Sequence, residues 1–235
     1  MQPELFDFPS SAALATDVAR RWVDAAALAA ARNEPFRVAL SGGRIAGDFM
    51  AAVAAEAGSR GLSPATVDFF WGDERCVPPA NADSNYLLAE KALLKPWGVP
   101  ASRIHRIPGE AAPAVAAQEA EAELRSVCPP DAQGVPVLDL VLLGMGEDAH
   151  VASLFPGAPA EVVESAACYL PVTGPKPPPQ RITLTFRTIR AAKTVWVLVG
   201  GAGKEAVLIQ SLAPGADTPL ARVLAGRSAT IFLAH

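Results

Sequence analysis

Residues 138–144, LDLVLLG, restrict the fold more than any other stretch of the chain. The run is apolar at odd and even positions alike, apart from Asp139. A strand with one wet face alternates. A strand apolar on both faces must be covered on both, as in the middle of a parallel sheet. Parallel strands need long crossovers, and the rest of the chain supplies them. FRVAL (36–40), VDFFW (67–71), CYLPV (168–172), RITLTF (181–186), VWVLVG (195–200) and TIFLA (230–234) are further strand candidates, with IHRI (104–107) a short one. Helical patterns fall near 46–59, 83–95, 113–127 and 203–212, with a short one after Thr218-Pro219. The first helix starts at Ser10 or Ser11, either of which suits an N-cap. Leu14, Val18 and Trp22 share one face of it, Asp17 and Arg21 are spaced to pair, and Asn33-Glu34-Pro35 ends it. In 113–127, Pro113 opens the first turn and Glu121 stands four residues before Arg125. GPKPPPQ (174–180) is a loop inside the domain, because strand patterns resume directly after it. The expectation is a single α/β domain over 1–235: a Rossmann-like three-layer sandwich, with a mostly parallel sheet and helices on both faces.

Composition narrows the function. The chain has 235 residues, 51% of them hydrophobic, enough for a full core. Its net charge of −4 argues against nucleic-acid binding, which needs a basic face. It leaves room for a local anion site. Cys76, Cys128 and Cys168 are too few and too scattered for a disulfide framework or a metal site, and read as isolated reduced thiols. MQPELFDFPSS has early acids and no basic n-region, unlike a signal peptide. No apolar run approaches the roughly 18 residues of a membrane span. A cytoplasmic protein without membrane contact is expected, acting as a monomer or weak homodimer.

In open parallel sheets, ligands bind beyond the carboxyl ends of the strands. Four expected strands end in polar, glycine-containing loops: SGGR (41–44), GDER (72–75), GMGEDAH (144–150) and GGAGK (200–204). Together they bring Arg44, Arg75 and Lys204 to one rim. Gly42 and Gly43, after Ser41 and before a helix, let backbone N–H groups approach an oxyanion closely. Three cations beside such a turn suit a phosphate.

Two nucleotide fingerprints fail. In GGAGKE the first P-loop glycine position is Leu198, and Glu205 stands where Ser or Thr should hold Mg²⁺. GMGEDA fits G-x-G-x-x-A, but Pro156-Gly157 stops the long helix that a dinucleotide turn must open. No H-E-x-x-H and no G-x-S-x-G occurs, so neither a metal nor a serine nucleophile is expected. His150 remains. It closes a glycine-rich turn at the end of the strongest strand, with Asp148 two residues before it, and histidine is the commonest general base at neutral pH. His105 lies in IHRIPGE near Arg106 and Glu110 and is expected to be structural; His235 is the last residue. The pattern suits attack by water on an electrophilic carbonyl, with His150 as base, Asp148 or Asp73 orienting it, and Asp73 also expected among the substrate-binding residues.

These motifs resemble the 6-phosphogluconolactonase family. GMGEDAHVASLFPG (144–157) matches G-M-G-x-D-G-H-x-A-S-L-F-P-G except for Ala149 in place of Gly. FFWGDERCVPPANADSNY (69–86) is similar to W-G-D-E-R-x-V-P-x-x-x-x-x-S-N, and RITLTFRTIRAAKTVWVLVGGAGK (181–204) to a third block that starts Arg-Ile-Thr and ends in lysine. The resemblance implies hydrolysis of 6-phospho-D-glucono-1,5-lactone, a small phosphorylated sugar lactone, without metal or cofactor. It carries over His150 as base, Arg75, Arg181 and Lys204 as phosphate or substrate contacts, and Ser41-Gly42-Gly43 as part of a phosphate cradle. The chain departs from the family's S-G-G-S-T-P at Arg44-Ile45-Ala46, where a hydroxyl pair is lost and a guanidinium gained: either Arg44 takes over the phosphate contact bidentately or the site is altered. Ala149 leaves its turn either right-handed or strained. Two alternatives are a glucosamine-6-phosphate deaminase/isomerase-like enzyme and a non-catalytic sugar-phosphate-binding protein. The deaminase motif continues Ala-Phe-Asn-Glu-Pro after its Asp-Gly-His, where this chain has Ser153, Leu154 and Phe155.

Overall fold

The computed structural model describes residues 3–201 and 203–235. Met1, Gln2 and Ala202, the last within the expected GGAGK loop, lie outside the described residues. The chain runs β1 (Glu4–Phe8), α1 (Ser11–Ala31), β2 (Phe36–Leu40), α2 (Arg44–Ser59), β3 (Val67–Trp71), β4 (Asp73–Arg75), α3 (Asn85–Ala89), α4 (Lys95–Trp97), α5 (Pro113–Val127), β5 (Leu140–Gly144), α6 (Ala160–Val163), β6 (Tyr169–Thr173), β7 (Gln180–Leu184), α7 (Phe186–Ala191), β8 (Thr194–Gly200), α8 (Lys204–Leu212), α9 (Pro219–Leu224) and β9 (Thr230–Ala234). Ser10 caps α1, accepting from the Ala13 N–H.

Six strands form a parallel sheet in the order β1-β9-β8-β5-β2-β3, flanked by helices. β5 sits inside it, between β2 and β8, and its Leu140 to Leu143 are buried. Its polar neighbour Asp139 is explained by the next strands' ends. It accepts from the Arg37 N–H at 2.8 Å and meets Lys193 Nζ at 2.7 Å. From β2 the chain steps outward to β3, then returns to lay β5 on the other side of β2 and continues to β8 and β9. The strand order therefore reverses between β2 and β5. Loops leaving the carboxyl ends of two such strands diverge and open a crevice.

Several elements differ from expectation, among them α6 and α7, which were not expected; α7 begins at Phe186, expected as the end of a strand. GDER is not wholly a loop: β4 pairs antiparallel with β7, and β7 with β6, in a separate three-stranded sheet. Gly72 is the transfer point, donating to Leu40 O and accepting from the Leu184 N–H, both at 2.8 Å. IHRI is not a strand. Ile104 makes one isolated bridge to Phe69, because a 3₁₀ turn at Ala101–Arg103 precedes it and Pro108, lacking an N–H, follows. The β1 edge strand was not expected; it exists through its pairing with the last strand, β9. Among the described residues no helix is long and apolar enough to cross a membrane. Cys128 and Cys168 are buried free thiols, and burial pushes the Cys128 thiol up to about 12.

His105 is structural, but its partners are not its sequence neighbours, since Arg106 takes Glu110 for itself. The imidazole stacks on Phe70, with Nδ1 2.7 Å from Glu123 Oε1 and Nε2 3.0 Å from Asp68 Oδ1. Both ring nitrogens face carboxylates. Burial alone would lower the His105 pKa; its hydrogen bonds to Asp68 and Glu123 outweigh it and raise the value. Asp68 is held below the usual carboxylate range, because His105 and Arg103 overcome its own burial. A raised histidine contributes its stability in full below the unfolded pKa and loses it as pH rises through the folded one. A lowered carboxylate contributes above its unfolded pKa and loses it as pH falls through the folded value. The melting-temperature advantage of wild type over His105→Asn should therefore peak in mildly acid solution and shrink as pH rises through and beyond neutrality. An advantage constant from pH 5 to 9 would show that His105 acts by packing alone.

Candidate active site

The crevice between β2 and β5 opens into a cavity of about 610 Å³. The structure brings Ser41, Gly42, Gly43, Arg44, Asp73, Arg75, His150, Arg181 and Lys204 to its wall. Asp148 alone of the expected residues stands outside that wall, behind the His150 ring.

One side of the cavity gathers an uncapped helix start and two cationic side chains. Gly43, at φ 91°, is the N-cap of α2 and offers no side-chain cap to that helix's first N–H groups. Gly42 lies against the Asn85 amide, and a Cβ there would fall 2.0 Å from Asn85 Oδ1. Ser41 Oγ accepts from the Gly144 N–H at 3.0 Å and ties this turn to β5. Arg44 is exposed at the first position of α2. Lys204, the first residue of α8, donates from Nζ to Met145 O at 2.6 Å. Burial lowers its pKa, with Glu147 opposing and Arg44 adding to the effect.

A second cationic group stands at β4 and β7. Arg75 and Arg181 are directly opposed in the antiparallel pair. Like charges so placed destabilise a sheet unless something negative lies between or beside them. Arg181 is only 8% exposed, and its pKa is lowered by burial and by Arg75. Its Nε and Nη2 donate to Pro178 O and Lys176 O, so it also braces the proline-rich loop. Arg75 Nη1 donates to Asp83 O at 2.6 Å, while its buried Nε has no partner among the described residues. Lys176 also lines the cavity and was not expected there. The available signal was that GPKPPPQ runs straight into the strand carrying Arg181. Asn85 was missed too, although it stands in the same motif block as Arg75.

The His150 loop follows β5. It folds back on itself through isolated bridges of Val151 to Met145 and Leu154. The Gly146 N–H donates to His150 O at 2.9 Å. His150 Nδ1 lies 2.5 Å from Asp148 Oδ1, and Phe155 packs against the ring with centroids 4.9 Å apart. Asp148, not Asp73, is thus the carboxylate on the imidazole. Burial would raise the Asp148 pKa; hydrogen bonds from the His150 ring and backbone outweigh it, and the carboxylate is held below its ordinary range. With Nδ1 committed, Nε2 is the ring atom left for a reactant. Among the described residues no group of three or more His, Cys, Asp or Glu is placed to hold a metal ion.

Ala149 takes the strained of its two expected forms, at φ 62°. Left-handed geometry costs a non-glycine residue about 1–2 kcal/mol. Glycine would relieve that, but would lose a buried methyl worth about 0.8 kcal/mol and add about 0.4–1 kcal/mol of chain entropy to the unfolded state. Ala149→Gly should therefore leave stability within about 1 kcal/mol of wild type. Turnover should be retained, because backbone hydrogen bonds from Gly146 and Leu220 fix the turn. Urea unfolding and a kcat measurement check both; a large loss in either would show that the methyl places His150.

The family model for glucosamine-6-phosphate isomerases/6-phosphogluconolactonase matches residues 9–232. A 6-phosphogluconolactonase of Nostoc sp. is 42% identical over 183 residues, spanning 77% of this chain and 73% of that one. The human 6-phosphogluconolactonase is 40% identical over 218 residues, spanning 91% and 81%. The solved 6-phosphogluconolactonase of Trypanosoma brucei superposes with a TM-score of 0.87 at 29% identity, covering 99% of this chain and 96% of that one. With nearly its whole length matched in sequence and in fold, the chain belongs to the glucosamine-6-phosphate isomerase/6-phosphogluconolactonase family.

Proposed function

We propose that the protein hydrolyses 6-phospho-D-glucono-1,5-lactone to 6-phospho-D-gluconate. The observation that carries this reading is His150, backed by Asp148, at the wall of a cavity that also presents Arg44, Arg75 and Lys204. The names of the 40–42% identical relatives support it. The Gly42-Gly43 turn, Arg44 and Lys204 hold the 6-phosphate, and that binding places the lactone carbonyl. His150 Nε2 takes a proton from water as the oxygen attacks C1. Asp148, ionised, fixes the tautomer and stabilises the imidazolium. Backbone N–H groups of the glycine turns meet the tetrahedral oxyanion. The C1–ring oxygen bond then breaks, and the imidazolium returns its proton to the departing oxygen.

The deaminase alternative lacks its acid. From Val151 to Ala160 no carboxylate follows His150, and Leu154 in that stretch is fully buried. The test is acid release from freshly made lactone, with spontaneous hydrolysis subtracted, beside ammonia release from glucosamine 6-phosphate. Saturable lactone turnover without ammonia is expected. Ammonia release, or binding of 6-phosphogluconate with no lactone turnover, overturns the proposal.

A further inference from the structure

The base loop and the anion turn leave different strands at the point where the sheet's strand order reverses. Their separation must nevertheless be fixed if one ligand is to meet both. The Gly144 N–H bond to Ser41 Oγ joins them at the strand ends. Farther out, a line of buried side chains crosses beneath the cavity. Ser153 Oγ donates to Asp73 Oδ2 at 2.6 Å. Asn85 Nδ2 donates to Asp73 Oδ1 at 3.2 Å and to Asp73 O at 2.9 Å. The Asn85 amide then lies on Gly42 with no room for a methyl between them. Ser153, Asp73 and Asn85 are 1%, 6% and 2% exposed.

Each end of this line meets a feature that needs support. Ala152, just before Ser153, has φ 51°, a second left-handed alanine in the base loop. Such strain persists only where the surroundings hold it. Ser153 holds it twice, through Oγ to Asp73 and through its N–H to Thr183 Oγ1 at 3.1 Å. At the other end Asn85 is locked by its own N–H to Glu74 Oε1, at 2.7 Å. Both oxygens of the Asp73 carboxylate are engaged by the protein, so Asp73 is a hub of this line.

We propose that Ser153 and Asn85, joined through Asp73, are positioning residues that hold the His150 loop and the Gly42-Gly43 turn in register. The inference rests on the reading of those two segments as base and anion site. Ser153→Ala should lower kcat about tenfold or more with a smaller change in KM, because it frees the base loop. Asn85→Ala should act mainly on KM, because it frees the anion turn, and it leaves the Tyr86 N–H bond to Glu74 in place. A readout independent of turnover is NMR of the full chain. Ser153→Ala should shift the Gly42 and Gly43 amide signals, and Asn85→Ala the His150 ring signals. If Ser153→Ala does not fold, Asn85→Ala makes the same test from the other end. Wild type inactive on the lactone would sink the functional reading, while the NMR shifts would still decide this one. Shifts confined to the substituted loop, or kcat and KM both unmoved while the melting temperature falls, overturn the positioning role.

Discussion

His150→Asn should lower kcat for lactone hydrolysis by about 10²- to 10⁴-fold, the usual contribution of a positioned general base. Asparagine offers similar polarity but no ring nitrogen to take a proton from water. The loss should fall on kcat alone. In the proposed reading the phosphate is held elsewhere, by the α2 N-terminus and Lys204, so affinity for 6-phosphogluconate should be nearly unchanged. Folding should survive, because the loop is fixed by backbone bonds and by Ser153, not by the imidazole. Calorimetric titration of the product and a lactone assay corrected for spontaneous hydrolysis separate the two effects. Near-wild-type kcat would remove His150 as base. Loss of product binding in step with turnover would mean that the imidazole holds substrate instead. Asp148→Asn should give a smaller loss, since it leaves the ring in place but no longer stabilises its charged form.

The fold class, and which residues share one cavity, were both legible in the sequence. SGGR, GMGEDAH and GGAGK end parallel strands, and the carboxyl-end rule alone brings their side chains to one cavity. That inference needs only strand direction, which local pattern supplies. What stayed hidden depends on partners distant in sequence. β1 has no local signal stronger than ELFDF; it is a strand because β9, at the other end of the chain, lies beside it. β4 is three polar residues held by β7, and the opposition of Arg75 to Arg181 follows only from that register. His105 shows the same limit. Its structural role was legible, but Asp68 and Glu123 reach it across the fold, while the adjacent Arg106 and Glu110 satisfy one another. Asp148 was the opposite case, a local pair two residues apart, yet Asp73 remained a rival until the structure showed its oxygens taken by Ser153 and Asn85.

Gly146→Ala should lower kcat about 10²-fold, the scale expected when a reacting group is displaced by about an ångström. Within GMGEDAHVASLFPG the glycines answer different needs. Gly157 has φ 71°, a conformation glycine adopts freely. Gly146 is not among the positive-φ residues; its backbone would accept an alanine. What it lacks is space. A Cβ there would lie 2.1 Å from His150 Nδ1, 2.2 Å from Cε1 and 2.8 Å from Asp148 Oδ1. One methyl would thus strike both members of the pair. The ring has an escape, since His150 and Asp148 are partly exposed, so the substitution should move the imidazole without unfolding the protein. Ala149, directly before His150, is the converse: the backbone there calls for glycine, while the buried site has room for its methyl. The two substitutions therefore make a matched test. Ala149→Gly relieves a left-handed backbone and should spare turnover; Gly146→Ala puts a methyl against the His150 ring and should remove most of it. A crystal structure of Gly146→Ala should show the imidazole turned from Asp148, with the rest of the loop in place. Full activity with the ring unmoved would mean that the short Nδ1–Oδ1 contact is not what sets the base.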